Sequence, residues 1–129
     1  MISGVGIDIV SIDRIKKAMN RPAFLGRFFS EEECAFFQKR GSTPQTVAAH
    51  FAMKEAVAKA LGTGIRGFDL REISIVRDDL GKPILNPLGR FRQVLLTLKI
   101  QTIHLSCSHE RETAIGYAVA EKSTNCAQD

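Results

Sequence analysis

The chain has 129 residues, 44% hydrophobic and 25% charged, a balance that excludes a disordered polymer and allows one domain with a single core. Its formal charge of +4 suits an acidic partner, while the absence of Trp and the single Tyr leave Phe alone for base stacking, which argues against nucleic acid. No stretch approaches the ~18 continuous apolar residues of a membrane span, and three cysteines (Cys34, Cys107, Cys126) in no metal-ligand spacing point to free thiols in a reducing cytoplasm rather than a disulfide frame or zinc.

The first segment, residues 4–10, alternates: Val5, Ile7 and Ile9 share one face of a strand, and Gly4, Gly6 and Asp8 share the other. An acid interrupts its apolar run early and no basic region precedes it, so it reads as a strand and not a secretion signal. Ser11 caps a helix through Met19 with Ile12, Ile15 and Met19 inward. Ser30 and Glu33 form a capping-box pattern for a second helix, acidic at its start and basic near Lys39 and Arg40. The stretch Ser42-Thr43-Pro44 supplies a cap and a first-turn proline for a third helix that Gly62 stops. A strand over 70–77, a turn at 78–81 and an edge strand over 82–85 follow. Asn86 and Pro87 start a helix to about Lys99, with Phe91, Val94, Leu95 and Leu98 inward. Residues 100–108 and 113–120 alternate as two strands joined by a loop at 109–112. The order βαααββαββ is a mixed α+β fold in one domain over 1–121, with a polar tail over 122–129.

The third helix holds the chemistry. Met53, Val57 and Leu61 fill an apolar arc from which His50 and Lys54 also project, whereas Glu55 and Lys59 stand roughly 40° apart beside the small Ala48, Ala52 and Ala56. One reading of Glu55 and Lys59 is a solvated pair worth ~0.3–0.5 kcal/mol. Lys54 must snorkel along the core edge or meet a buried anion. The other reading joins this helix to the first strand, where Gly4 and Gly6 leave room for a bulky group beside Asp8. Asp8 and Glu55 would together hold Mg²⁺, which takes one or two carboxylates and completes its octahedron with water and phosphate. Lys54, Lys59 and the turn Gly62-Thr63-Gly64 would then hold phosphates. The turn is no P-loop, since its glycines follow the helix, and a plain C-cap also accounts for Gly62.

Gly6-Ile7-Asp8-Ile9 with Arg14, then Phe51-Ala52-Met53-Lys54-Glu55-Ala56, Lys59-Ala60 and Gly62-Thr63-Gly64, then Gly81-Lys82-Pro83 and Leu105-Ser106-Cys107-Ser108-His109, resemble the holo-acyl-carrier-protein synthases, the short single-domain 4′-phosphopantetheinyl transferases. The resemblance implies transfer of 4′-phosphopantetheine from coenzyme A to a serine of apo-acyl carrier protein, with release of adenosine 3′,5′-bisphosphate. It implies Asp8 and Glu55 as Mg²⁺ ligands, Lys59 against the phosphates, and Gly62, Thr63 and Gly64 bordering the nucleotide. Lys82, Pro83 and His109 would line the nucleotide cleft. Glu55, directly or through a metal-bound water, is the candidate acceptor for the serine proton. Arg14, Lys17, Arg21 and Arg27 would dock the acidic carrier, by contacts that salt screens over ~8 Å.

The position before Phe51 is often arginine in that family and is His50 here, which bears on a phosphate or structural contact and adds a group that titrates between about pH 5 and 8. His104 reads as an exposed strand residue without a role. Family members are usually trimers, which implies active sites between neighbouring subunits and places the strands over 100–108 and 113–120 at the trimer core. Two other classes fit the residues without the resemblance. A non-catalytic basic module would bind acidic carriers without Mg²⁺ or coenzyme A, and a hydrolase would use water at the same carboxylates.

Overall fold

The computed structural model describes residues 1–123. In chain order it comprises β1 (Ile2–Ser11), α1 (Ile12–Met19), α2 (Phe24–Phe28), α3 (Glu31–Lys39), α4 (Pro44–Leu61), a 3-10 turn (Leu70–Glu72), β2 (Ile73–Arg77), β3 (Pro83–Pro87), α5 (Gly89–Thr97), β4 (Ile100–His109) and β5 (Thr113–Lys122). The helix starts follow the side chains that cap them. Ser11 Oγ accepts from Arg14 N, Ser30 and Glu33 close a reciprocal box, and Thr43 Oγ1 accepts from Thr46 N ahead of Pro44. Gly62 ends α4 in the left-handed region at φ 77°.

One helix, α2, was not expected from the sequence, and three element boundaries differ from the expectation. The short α2 lacks a side-chain cap and is held by packing, with Phe24 buried among Phe28, Phe29 and Phe51. β2 begins at Ile73 because Asp69 and Glu72 cap each other and fold residues 70–72 into the 3-10 turn. Asn86 and Pro87 lie in β3 opposite Ser74 and Ile73, so α5 starts only at Gly89. Lys122 belongs to β5, and the remaining tail, 124–129 with Cys126, lies outside the described residues.

β1, β5 and β4 form an antiparallel sheet in that order, with Asp8 opposite Gly116 and Gly116 opposite Cys107. α4 lies across one face of it, in contact so close that side chains are excluded. A Cβ on Gly6 would stand 2.0 Å from the Ala56 carbonyl oxygen, one on Gly4 2.1 Å from that of Ala60, and one on Gly116 2.3 Å from Ala52. The room beside Gly4 and Gly6 is therefore filled by helix backbone, not open to a ligand. This is the physical reason why Ala52, Ala56 and Ala60 recur on α4.

Because the glycine face turns inward, Val5, Ile7 and Ile9 turn outward and are 56%, 57% and 67% exposed. Ile115 and Tyr117 of β5 continue this outer apolar patch, while the exposed positions of β4, among them Thr102, His104 and Ser106, are polar. The outer apolar strands are thus β1 and β5, where the sequence pointed to β4 and β5. α4 serves two cores, one with Phe68, Ile73, Phe91 and Leu105 and the other with Ile15, Phe29 and Phe37. The β2–β3 ribbon is tied to α3 by polar bonds, Ser30 Oγ to Ser74 Oγ at 2.6 Å and Asn86 Nδ2 to Glu32 Oε1 at 2.7 Å.

Candidate active site

Asp8 follows Gly6 on the inner face of β1, and Glu55 and Lys59 project one turn apart from α4. The glycine–alanine contact holds strand and helix close enough for these three to meet. Lys59 Nζ donates to Asp8 Oδ1 and to the Ile7 carbonyl oxygen, both at 3.0 Å. Asp8 and Glu55 line one cleft of about 330 Å³ together with Arg14 of α1, Phe24 of α2 and Phe51 of α4. Burial raises the Glu55 pKa above the usual carboxylate value, the Asp8 charge raises it further, and Lys59 opposes both.

The donor set fits a hard divalent cation. Two neighbouring carboxylates share one half-buried cleft, and their mutual repulsion is what a bound cation would relieve. Among the described residues no cluster of three or more His, Cys, Asp or Glu has metal-binding form. Magnesium needs no such cluster, since it keeps water and substrate oxygens.

Lys54 is not part of this cleft. Its side chain is fully buried, ion-paired with Glu33 Oε1, and its ammonium lies 4.9 Å from the Phe29 ring centroid. The expectation that Lys54 holds phosphates is corrected: of the two outcomes open to it, Lys54 meets a buried anion, Glu33, the same residue that caps α3. Glu33 Oε2 meets His50 Nδ1 at 3.2 Å, so His50 is likewise buried in a structural network. Burial lowers the His50 pKa. His104 is exposed and pairs with Glu121, a surface contact.

The other predicted residues stand apart from the cleft. Gly62 and Thr63 border a hollow of about 730 Å³ with Arg66 and Arg90, and Gly64 is exposed beside it. Lys82 and Pro83 line another hollow, about 380 Å³, between β3 and β4. His109 sits exposed at the end of β4, level with Ala114 and, one strand further, with Val10, roughly 10 Å away by strand spacing. Arg14, Lys17, Arg21 and Arg27 are all exposed; Lys17 pairs with Asp13 at 3.1 Å and Arg27 lies over the Phe28 ring. A single chain therefore joins Asp8, Glu55, Lys59 and Arg14, and leaves Lys82, Pro83 and His109 elsewhere. Arg66 and Arg90, beside the glycine turn, carry no spacing signal in the sequence, and Phe24 at the cleft lies on a helix with no cap. Glu33 was legible only as a cap, although one of the two outcomes open to Lys54 called for an acid.

A family model described as the 4′-phosphopantetheinyl transferase superfamily matches residues 4–118. The chain is 47% identical over 122 residues to a holo-[acyl-carrier-protein] synthase of Clostridium botulinum, covering 94% of this chain and 98% of that one. Its fold matches the crystal structure of holo-[acyl-carrier-protein] synthase from Neisseria meningitidis with a TM-score of 0.88 at 42% identity, over 95% of this chain and 100% of that one. A Helicobacter pylori holo-[acyl-carrier-protein] synthase in complex with coenzyme A matches with a TM-score of 0.79 at 32% identity, over 91% and 99% of the two chains. Carboxylates, lysine and glycine turn thus stand on a fold shared along nearly the whole sequence, and the chain belongs to the 4′-phosphopantetheinyl transferase superfamily.

Proposed function

We propose that this enzyme transfers 4′-phosphopantetheine from coenzyme A to a serine of apo-acyl carrier protein and releases adenosine 3′,5′-bisphosphate. The observation that carries the reading is the meeting of Asp8 and Glu55 in one cleft, with Lys59 bonded to Asp8, on a chain nearly half identical to a holo-[acyl-carrier-protein] synthase. Asp8 and Glu55 would hold Mg²⁺, which when bound would supply positive charge against that of the pyrophosphate. Lys59 spends two of its three N–H donors on Asp8 and Ile7, which leaves the third for a phosphate oxygen. In the transfer, the serine oxygen bonds to the phosphorus that carries pantetheine as the pyrophosphate P–O bond breaks. The hydroxyl proton passes to Glu55, directly or through an intervening water.

Arg14, Lys17, Arg21 and Arg27 receive the acidic carrier, and Arg14 lies at the mouth of the same cleft. Gly62, Thr63 and Gly64 border the nucleotide. Lys82, Pro83 and His109 complete its cleft from a neighbouring subunit of a homotrimer, an arrangement supported by their separation from Asp8 within one chain and by the outer apolar patch of β1 and β5. No helix among the described residues is long and apolar enough to cross a membrane, and the free Cys34 and Cys107 suit the cytoplasm.

The test combines the protein with coenzyme A, Mg²⁺ and an apo-carrier protein and weighs the carrier. The expected result is a mass gain of one phosphopantetheine, which Asp8→Asn and Glu55→Gln each reduce by about 100-fold or more while the fold persists. A carrier of unchanged mass with folded wild-type protein would refute the transferase; full activity in either variant would refute the carboxylate assignment. Bisphosphate release without carrier would mark a hydrolase.

A further inference from the structure

Arg77, at the end of β2, is held from four directions. Its Nε donates to His50 Nε2 at 3.3 Å, Nη1 to the Gly81 carbonyl oxygen at 3.0 Å, and Nη2 to Cys107 Sγ at 3.9 Å, while the guanidinium carbon lies 5.8 Å from the Phe36 ring centroid. The Phe36 ring also stacks on His50, with centroids 5.5 Å apart. The turn that Arg77 grips is internally rigid. Asp78 Oδ1 accepts from Leu80 N and Lys82 N, Asp78 O accepts from Gly81 N, and Gly81 takes φ 88°, which favours glycine. Such a turn moves as one piece, carried by the β2–β3 ladder and tied to α4 by the guanidinium.

We infer that the His50–Arg77 pair is a positioning clamp that sets the Gly81-Lys82-Pro83 turn, and with it Lys82, for coenzyme A. This rests on the reading that Lys82 and Pro83 line the nucleotide cleft. Lysine at position 77 could not reproduce the clamp, since a single ammonium lacks the planar fork that reaches two acceptors from fixed positions.

The clamp has a built-in condition. A guanidinium only donates, so Nε2 of His50 must be the bare nitrogen and Nδ1 must carry the proton, facing Glu33. The charged groups around His50 are Glu33 from α3, Lys54 from α4 and Arg77 from β2. Two cations and burial oppose a second proton on the ring, Glu33 favours it, and burial is the largest influence. A proton arriving at Nε2 would remove the acceptor, set N–H against N–H, and release Arg77.

The experiment measures kcat and KM for coenzyme A at fixed, saturating carrier from pH 5.5 to 8. Arg77→Lys is expected to raise KM for coenzyme A about tenfold at pH 7.5 with kcat within about twofold. In the wild type KM is expected to climb on the acid side, and that climb is expected to shrink in His50→Gln, whose carbonyl can accept from Arg77 but does not titrate. Titration of coenzyme A itself is common to both proteins, so the difference between them reports His50. As a measurement that needs no variant, NMR of the full-length wild type is expected to show the Gly81 and Lys82 amides shifting with the same midpoint as the His50 ring.

Lys82→Ala separates this inference from the reading beneath it. If Lys82→Ala leaves KM for coenzyme A unchanged, both fall. If Lys82→Ala raises it while Arg77→Lys does not, or if the amides ignore the His50 titration, the clamp alone is overturned.

Discussion

Lys54 shows how one lysine of a helix can serve the fold while another on the same helix, Lys59, meets the carboxylate of Asp8. Its ammonium is sealed from water between Glu33 and the Phe29 face, and a buried pair broken on one side leaves an uncompensated charge. Lys54→Met, similar in length and apolar, is expected to cost about 3–5 kcal/mol because it strands Glu33. The double variant Lys54→Met/Glu33→Gln is expected to recover more than half of that, since glutamine at this position still completes the Ser30 capping box. Urea unfolding of the wild type, the two single variants Lys54→Met and Glu33→Gln, and the double variant checks the cycle, and additive losses would contradict it.

At the level of elements, the helix α4 and strand β1 carry the site because nothing but hydrogen stands between their backbones at Gly4 and Gly6. Gly6→Ala is expected to cost about 2–3 kcal/mol and to lower transfer by moving Asp8 from Glu55, for the added Cβ meets the Ala56 carbonyl oxygen, which cannot rotate away. Gly26→Ala, on α2 with nothing within 4 Å, is expected to leave stability equal or slightly raised. Thermal unfolding and transfer assays on both compare the two cases. Much of this level was legible from residues alone: Ser11, Ser30 and Thr43 announced three helices, and Gly62 announced an end, because caps act within a few residues. α2 was not, since Phe24 and Phe28 are helical only through the aromatic cluster they join. The orientation of β1 was half legible. Alternation separated the Val5 face from the Gly6 face, but only the alanines of another element decide which faces inward. For the same reason the closeness of Asp8 to Glu55 was suspected from chemistry and depended on long-range packing to become geometry.

For the whole molecule, one chain holds the carboxylates in one place and Lys82 and His109 in others, so an active site completed between subunits makes a distinctive forecast. Asp8→Asn and Lys82→Ala/His109→Ala are each expected to be nearly inactive. Mixed, unfolded together and reassembled, they are expected to regain about a quarter of wild-type activity, because in the proposed homotrimer each mixed ring holds one site with both halves intact. Transfer assays before and after reassembly test this, and activity that stays at background would place every functional group within one chain.

The double duty of Glu33, which caps α3 while neutralising the core lysine, also bears on motion. A short exposed helix would ordinarily fray and trade its amide hydrogens with solvent quickly, but the first turn of α3 cannot lift without uncovering a bare ammonium. The amide of Glu33 is accordingly expected to exchange as slowly as the most protected amides of α4, through opening of the entire molecule. Native-state exchange followed residue by residue would disprove this if that amide exchanged through a cheaper local opening.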